Sequence, residues 1–343
     1  HNLKKDKNYL KKIISSTYLT SGPMCEKVEN LLKKRFKTKF AILTNSWTNG
    51  LISILLSLNL KPKDEVIIPA CTFVACANVV EMVGAKVIFA DIDPLTKLMD
   101  IKDCLKKISK NTKVIMPVHL YGNLFNTYEL KKKIRKDIFI IEDSAHAFCG
   151  KDNKNSLGKF SDFTVFSFYA TKSITCGEGG AIITNHKNYS SKIRSISNNG
   201  MTKPAFKRFV NNKYVPWDVY SVGFKANLSD INASLLADQI KGYSKIANMK
   251  KKVYQKYIKQ LKDISQITFP KQNFNKNRDF YLFPIGVHQN IRDKLIIYLL
   301  KKKIFVTVNF KSVTELDYYR KKYKKAHCPN SKKWGSEQLS LPF

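Results

Sequence analysis

The chain alternates short apolar runs with segments of helical period, and this alternation restricts the fold more than any other feature. Such an alternation is typical of an α/β protein whose parallel strands are joined by right-handed crossovers. The predicted strands are Phe40–Leu43, Glu65–Pro69, Lys86–Ala90, Lys113–Val118, a run from Ile138, Phe163–Phe168 and Ala181–Thr184. Five residues lie at or just after strand ends, namely Thr48, Phe73, His119, Asp143 and Ser167. Because the carboxyl ends of parallel strands share one edge of a sheet, we expect these five residues to converge on one crevice.

One lysine lies in an unusual setting, between two of these predicted strands. Lys172 belongs to the stretch FTVFSFYATKSITCGEGGAIIT, residues 163–184, and a glycine-rich turn follows it. A lysine in an apolar environment loses hydration and its pKa falls, so its neutral amine can attack a carbonyl and form a Schiff base. The alternative is a lysine whose amine reaches solvent from the end of the sheet. This stretch alone leaves both interpretations open.

An acidic pair ends the apolar run that precedes this lysine. The run IFIIEDSAHAFC, residues 138–149, contains Glu142 and Asp143. A carboxylate at the carboxyl end of a buried strand points into the crevice where α/β proteins bind ligands. Pyridoxal phosphate needs such a partner, because an Asp keeps its pyridinium nitrogen protonated. Asp143 could instead cap a helix, and His146 could flank the cofactor ring or be an ordinary half-buried histidine.

The segments EDSAHA and SFYATKSITCGEGG resemble the DegT/StrS-type family of pyridoxal-phosphate sugar aminotransferases, and the similarity extends from YLTSGP near residue 20 to LSLPF at the end. The resemblance implies that Lys172 is the Schiff-base lysine, Asp143 the pyridinium partner and His146 a ring-side contact. Relatives that dehydrate the sugar carry His in place of this lysine. The resemblance therefore identifies Lys172 as an aminating residue.

The same resemblance implies further contacts with the cofactor and the substrate. It places Trp47 and Thr48 at the cofactor, with Thr48 and Ser167 at its phosphate, stacks Phe73 on the ring, and directs Asn227 across a dimer interface to the partner's phosphate. Asn309 and Phe310 take the place of a His-Tyr-like pair near the substrate. No metal is expected, because Asp91 and Asp93 have no further ligands nearby and are interpreted as a turn.

The resemblance also implies an aspartate-aminotransferase-like fold (fold type I). We expect a large cofactor-binding domain, residues 1–238, around a mostly parallel sheet, and a smaller C-terminal α/β domain, residues 239–343. The residues themselves predict a long helix or helix pair from Leu228 to about Leu261, followed by a strand at 280–287, a helix at 292–302 and a strand at 305–308. They also predict a turn at 121–123 and a helix from Leu51 to Leu58. The hydroxyl-rich loop 44–50 before that helix could hold a phosphate at its free backbone N–H groups, or a Ser or Thr there could simply cap the helix. Residues 198–222 have no clear period, and a loop of this length is usually functional or mobile. Relatives continue beyond LPF, so we expect residues to be missing at the C-terminus.

The net charge of +35 raises the possibility of nucleic-acid binding. Only seven of the 61 basic residues are Arg, although guanidinium groups are the preferred readers of phosphates and guanines. We therefore expect no dedicated nucleic-acid function. No apolar run approaches the roughly 20 residues that cross a bilayer, and no secretory signal opens the chain. The seven scattered cysteines are typical of free thiols in a reducing compartment, so we expect a cytoplasmic protein.

The resulting hypothesis is an aminotransferase that uses pyridoxal 5'-phosphate. By resemblance, the amino donor is L-glutamate, and the acceptor is the C4 ketone of a nucleotide-linked 4-keto-6-deoxyhexose, because NGMTK, Trp217 and GFKANLSD match the subset with that substrate. The match also implies a homodimer with shared active sites, acting in surface-polysaccharide biosynthesis. The alternatives are a 3-keto-sugar aminotransferase, a sugar dehydratase of the same family, a non-catalytic regulator that binds pyridoxal phosphate, and a nucleic-acid-binding protein.

Overall fold

The computed structural model describes residues 3–149, 156–202, 209–210, 213–271 and 278–343. Its elements are, in chain order, α1 (Leu3–Ile14), α2 (Pro23–Phe36), β1 (Phe40–Thr44), α3 (Trp47–Ser57), β2 (Glu65–Pro69), α4 (Ala75–Met82), β3 (Lys86–Ala90), α5 (Ile101–Lys106), β4 (Thr112–Ile115), α6 (Thr127–Lys133), β5 (Phe139–Asp143), β6 (Phe163–Ser167), β7 (Gly180–Thr184), α7 (Lys187–Ile196), β8 (Phe209–Val210), β9 (Lys213–Tyr214), α8 (Asp230–Ser234), α9 (Ala237–Leu261), β10 (Phe283–Gly286), α10 (Gln289–Lys301), α11 (Asp317–Lys322), α12 (Pro329–Glu337) and β11 (Gln338–Leu341). The residues form two compact units. The first unit is His1–Leu60 with Asp162–Ser244, and the second unit is Lys61–Ser161 with Lys245–Phe343. The predicted division into domains 1–238 and 239–343 stays a prediction.

The first unit contains three strands in the order β1-β7-β6. Strand β7 is antiparallel to both neighbours, so β1 and β6 run in the same direction. Every residue of β7 is buried, and α3 packs against it. Phe36 at the end of α2 stacks on Phe166 of β6, with ring centroids 4.8 Å apart. Because β1 and β6 are parallel, Thr48 and Ser167 lie beyond the same edge of this group of strands.

The second unit contains four parallel strands in the order β5-β4-β2-β3. All five residues of β2 are buried, as a continuous apolar run predicts for a strand covered on both faces. Phe73 follows β2, His119 follows β4, and Asp143 is the last residue of β5. These three residues therefore share one edge of the second unit's strands, as the sequence predicted.

The fold class is confirmed as mixed α/β with mostly parallel strands: the four strands of the second unit are parallel, and β7 is the antiparallel exception in the first unit. The second unit also contains the antiparallel pair β10 and β11. The strand predicted at 305–308 is reduced to a single bridge between Thr307 and Ser340. The helix predicted from Leu228 is a pair, α8 and α9, with the side chain of Ser229 capping α8.

Two loops contain local hydrogen-bonded structure. Asp93 accepts hydrogen bonds from the backbone N–H groups of Leu95 and Thr96, which is the turn that the sequence predicted. The long segment 198–222 contains the short antiparallel pair β8 and β9, and its residues 203–208 and 211–212 lie outside the described residues. Among the described helices, none is long and apolar enough to span a membrane.

Candidate functional site

The first predicted contacts, Trp47 and Thr48, lie in the first turn of α3. The sequence predicted a loop here and a helix from Leu51, but the helix begins at Trp47 because the Ser46 hydroxyl accepts a hydrogen bond from the Asn49 N–H at 3.1 Å. The first turn of a helix leaves N–H groups without intrahelical acceptors, and the helix dipole favours an anion there. Within the described residues, the buried Nε1 of Trp47 has no hydrogen-bond partner. This end of α3 therefore offers several donors to an anionic group.

Gly180 opens β7 directly beside this helix end. A Cβ atom at this position would lie 2.6 Å from the carbonyl carbon and oxygen of Ser46 and 2.7 Å from the Trp47 nitrogen. Those atoms are backbone and cannot rotate away. The residue at 180 therefore has to be glycine for α3 to begin at this place.

Ser167 and Lys172 lie at the start of the connection between β6 and β7. Ser167 ends β6, and its Oγ accepts a hydrogen bond from the Tyr169 N–H at 3.4 Å. Lys172 is half-buried, and its backbone N–H donates to the Tyr169 carbonyl at 2.9 Å. Two hydrogen bonds between Thr175 and the side-chain amide of Gln239, at 3.1 and 2.7 Å, tie this connection to α9. The connection that carries Lys172 is therefore held to α9 by hydrogen bonds three residues after the lysine.

Asn227 joins the TSGP segment to the sheet of the first unit. Its backbone forms an isolated bridge with Thr44, and its Nδ2 donates to the Ser21 Oγ at 2.6 Å. Among the described residues, its buried Oδ1 has no hydrogen-bond partner. A cavity of about 930 Å³ lies beside it, with Ser21, Arg194 and Lys225 in its lining. Asn227 is thus presented at the wall of a polar cavity rather than within the core.

A buried carboxylate, that of Asp230, also holds the TSGP segment and the start of α2 in place. Asp230 is 1% exposed and accepts hydrogen bonds from three backbone N–H groups at the start of α2, those of Gly22 (2.9 Å), Met24 (3.0 Å) and Cys25 (2.9 Å). Gly22, the residue before α2, supplies no side-chain cap of its own. Asp230 therefore caps a helix more than 200 positions earlier in the chain.

In the second unit, Asp143 is 4% exposed and ends β5. Its Oδ1 accepts a hydrogen bond from the Ala145 N–H at 2.9 Å, and its Oδ2 accepts one from the Cys76 thiol at 3.3 Å. The thiol lies on α4, which follows β2, and β4 lies between β2 and β5 in the strand order. Sequence reasoning did not single out Cys76, because a cysteine in a buried helix is usually an ordinary core residue.

Aromatic rings surround a second predicted residue of this unit, His146. Its ring lies 4.4 Å from that of Tyr281 and 5.8 Å from that of Phe310, measured between centroids. Phe310 in turn lies 5.6 Å from Phe73, which is 54% exposed. His146 Nδ1 accepts a hydrogen bond from the Tyr121 N–H at 3.3 Å. The structure therefore brings Phe73, His146 and Phe310 together, as expected for residues of one site.

Tyr121 connects this cluster to Asn309. Its hydroxyl donates to the Asn309 carbonyl and accepts from Trp334 Nε1 at 2.9 Å, and burial raises its pKa well above the ordinary value. The side chain of Asn309 accepts from Thr307 at 2.7 Å. Sequence reasoning missed Tyr121, which was recognised only as part of a turn.

The model of the DegT/DnrJ/EryC1/StrS aminotransferase family matches residues 2–343. The chain belongs to this family.

Several members are similar over nearly their whole length. SpsC of Bacillus subtilis, a spore coat polysaccharide biosynthesis protein, is 30% identical over 338 residues, which are 96% of this chain and 87% of SpsC. The solved structure of Helicobacter pylori PseC, an aminotransferase involved in the biosynthesis of pseudoaminic acid, has a TM-score of 0.90 and 27% identity, covering 98% of this chain and 90% of PseC. Spr1654 of Streptococcus pneumoniae, in its PMP-form, has a TM-score of 0.88 and 26% identity, covering 99% and 91%. The resemblance seen in the sequence is thus confirmed for the family and for its fold.

Proposed function

We propose that this DegT/DnrJ/EryC1/StrS family member is a pyridoxal 5'-phosphate-dependent sugar aminotransferase. The amino donor is L-glutamate and the acceptor is the C4 ketone of a nucleotide-linked 4-keto-6-deoxyhexose. The observation that carries the proposal is the buried carboxylate of Asp143 at the end of a parallel strand, in a chain whose family is that of aminotransferases. The names of PseC and SpsC support a sugar substrate, and the PMP-form of Spr1654 supports the cofactor.

Each unit, taken by itself, has residues that suit one part of this cofactor. The first unit offers the N–H groups at the start of α3 and the Trp47 Nε1, which has no hydrogen-bond partner in the described part of the chain, and these donors suit a phosphate. The second unit offers a buried acceptor at Asp143 and the half-exposed ring of Phe73. We assign Thr48, Ser167 and these donors to the phosphate, Asp143 and His146 to the ring, and Phe73 to the ring face. Asn309 and Phe310 are assigned to the substrate.

Each residue has a defined task in the transfer. When bound, the cofactor supplies a carbonyl carbon that takes up the amino group and a ring that accepts electrons. Lys172 would hold the cofactor through its Nζ, and its free amine would carry a proton on the same Nζ as general base and then general acid. Asp143 would hold a proton at the ring nitrogen through its carboxylate. The start of α3 would hold the phosphate.

The test is the visible absorbance of the purified protein with pyridoxal phosphate, before and after L-glutamate is added without sugar. We expect a cofactor band that glutamate bleaches, and we expect Lys172→Ala to lose both the band and turnover while remaining folded. Lys187→Ala, which changes an exposed lysine of the same unit, is the matched control and should behave as the unchanged protein. A Lys172→Ala protein that still turns over would reject the assignment. NMR of the aminated product distinguishes C4 from C3 amination.

We further propose a cytoplasmic homodimer in which Asn227 completes the partner's site. The Oδ1 of Asn227, which has no hydrogen-bond partner among the described residues, lies at the wall of a polar cavity and supports a contact with a donor of a second copy. Mixing inactive Lys172→Ala and Asn227→Ala proteins under conditions of subunit exchange should restore activity, because one of the two sites in a mixed dimer then has both residues. No recovery in mixed dimers, with each variant still dimeric, would place Asn227 outside a shared site.

A further inference from the structure

A thiol and a hydroxyl form a chain of two hydrogen bonds that ends on Asp143, the carboxylate assigned to the cofactor ring. Cys76 Sγ is 3.3 Å from Asp143 Oδ2, and Thr72 Oγ1 is 3.2 Å from the same sulfur. All three side chains are buried, at 4% exposure or less. Thr72 precedes α4, and Cys76 is the second residue of that helix, so the geometry of one helix start sets both distances.

The direction of these two hydrogen bonds follows from the chemistry of their ends. An ionised carboxylate has no proton to give, so the contact between Cys76 and Asp143 requires the thiol to donate. The sulfur then has only lone pairs left for Thr72, whose hydroxyl must donate to it. Burial and the Asp143 charge raise the pKa of the Cys76 thiol well above its ordinary value, so the thiol keeps the proton that it donates.

We propose that Cys76, supported by Thr72, is a positioning residue that orients the Asp143 carboxylate and sets its strength as a proton acceptor. The Ala145 N–H holds Oδ1 at 2.9 Å, and the thiol holds Oδ2, so a donor lies on each carboxylate oxygen. Donors on a carboxylate stabilise its ionised form and make it a weaker base. Hydrogen bonds in series polarise one another, so the Thr72 hydroxyl strengthens the thiol as a donor. This inference rests on the proposed role of Asp143 toward the cofactor ring nitrogen.

The hydrogen bond itself is tested in the protein without cofactor, by infrared spectroscopy of the S–H stretch. The difference spectrum between the unchanged protein and Cys76→Ser isolates the Cys76 thiol from the other six cysteines. We expect the charged acceptor to shift the S–H band of Cys76 to low frequency. In Asp143→Ala this band should return to the position of a weakly hydrogen-bonded thiol. A band that does not move on Asp143→Ala would overturn the inference. This outcome does not depend on whether the protein is an aminotransferase.

The consequence for the site is tested with cofactor labelled with ¹⁵N at the ring nitrogen. Cys76→Ala removes the donor, so Asp143 becomes the better base, the shared proton moves toward it, and the ¹⁵N resonance moves toward that of unprotonated pyridine. The first half-reaction with saturating L-glutamate should slow about twofold to tenfold, the range expected for one net hydrogen bond. Cys76→Ser restores a donor with nearly the volume of Ala and should return both values toward those of the unchanged protein.

Two further variants separate this role from simple packing. Cys104→Ala deletes a thiol that is equally buried, on α5, and should leave the ¹⁵N resonance unchanged. Thr72→Val keeps the shape and removes the hydroxyl, and should move the resonance in the same direction as Cys76→Ala by a smaller amount. Equal resonances in Cys76→Ala, Cys76→Ser and the unchanged protein would overturn the inference while leaving the proposed function intact. Failure of the unchanged protein to bind pyridoxal phosphate would instead reject the proposed function.

Discussion

Acidification should remove a stabilising contribution of Glu142, the residue beside Asp143. The Glu142 carboxylate is 2% exposed and accepts hydrogen bonds from Thr127 Oγ1 (2.6 Å), the Gly158 N–H (2.9 Å) and Ser161 Oγ (3.0 Å). His119 Nε2 lies 3.7 Å away. Burial acts to raise the pKa of Glu142, but the nearby His119, together with the hydrogen bonds from Thr127 and Gly158, outweighs burial and lowers the pKa to about 2.

The size of the effect follows from the shift in this pKa. The fall from the ordinary value of 4.5 to about 2 corresponds to about 3 kcal/mol, at about 1.36 kcal/mol for each pH unit. Because the folded-state pKa lies below the unfolded-state value, the ionised form stabilises the fold fully above pH 4.5. This stabilisation is lost as the pH falls from 4.5 toward 2, since protons then bind the unfolded state first.

The assay is equilibrium unfolding in urea, at several pH values, of the unchanged protein and of Glu142→Gln. The glutamine cannot ionise, so the difference in free energy of unfolding between the two proteins should shrink by about 3 kcal/mol between neutral pH and the low end of this range. Other carboxylates titrate in both proteins and cancel in the difference. Glu129→Gln, which alters an exposed ion pair with Lys133, is the control and should change stability by about 1 kcal/mol or less. A difference for Glu142→Gln that stays constant with pH would refute the reasoning.

Two further predictions concern the first unit. Asp230→Ala leaves three N–H groups at the start of α2 without their acceptor, so it should lower the free energy of unfolding measured in urea by about 3–5 kcal/mol. Asp230→Asn keeps one acceptor oxygen and should lower it by less. Equal losses in the two variants would contradict the capping role. Gly180→Ala places a methyl group against the Ser46 backbone, so it should destabilise the protein by about 1–3 kcal/mol and weaken cofactor binding. Gly242→Ala is the control and should be neutral or stabilising, because its new methyl group meets no described residue within 4 Å outside its own helix turn. An unaltered cofactor affinity in Gly180→Ala would show that the start of α3 does not hold the phosphate.

Local pattern was sufficient to predict the strands of the sheet, because buried parallel strands read as continuous apolar runs. Strands β2 and β3 have the bounds predicted from sequence, and β1, β5, β6 and β7 differ by a residue or two. The prediction at 305–308 was wrong because an exposed, short apolar run does not specify its pairing partner. Phe305 is 72% exposed, and only Thr307 forms a bridge.

The start of α3 was misplaced for a related reason. The run Thr44 to Gly50 contains several good capping residues, and sequence alone does not say which one caps the helix. In the structure the cap is Ser46, and Gly180, more than 130 positions later, allows the backbone to approach there. The interpretation of the hydroxyl-rich segment as a place for an anion needed only its position after a strand, so it did not depend on the exact first residue of the helix.

The contacts behind the site could not be predicted, because they join residues that have no common local pattern. Cys76 touches Asp143 across 67 positions, and Asp230 caps α2 across about 205. Each of these residues has an ordinary local interpretation, as a core cysteine or as an acid at a helix start. Only the fold distinguishes these roles.

The pair Glu142 and Asp143 shows how one strand divides structure from function. Successive side chains of a strand point to opposite faces of the sheet, so two adjacent acids cannot serve the same site. Glu142 accepts hydrogen bonds from three donors and lies beside His119, so its ionised carboxylate stabilises the fold of the second unit. Asp143 is held by the Ala145 N–H and the Cys76 thiol, at the strand end where α/β folds bind ligands. Exchanging the two residues, to give Asp at 142 and Glu at 143, would conserve charge and composition. The shorter side chain at 142 would draw its carboxylate away from its hydrogen-bond donors, and the longer side chain at 143 would displace its carboxylate by one methylene group. The proposed function therefore depends on the order of these two acids along the strand, and not on their presence alone.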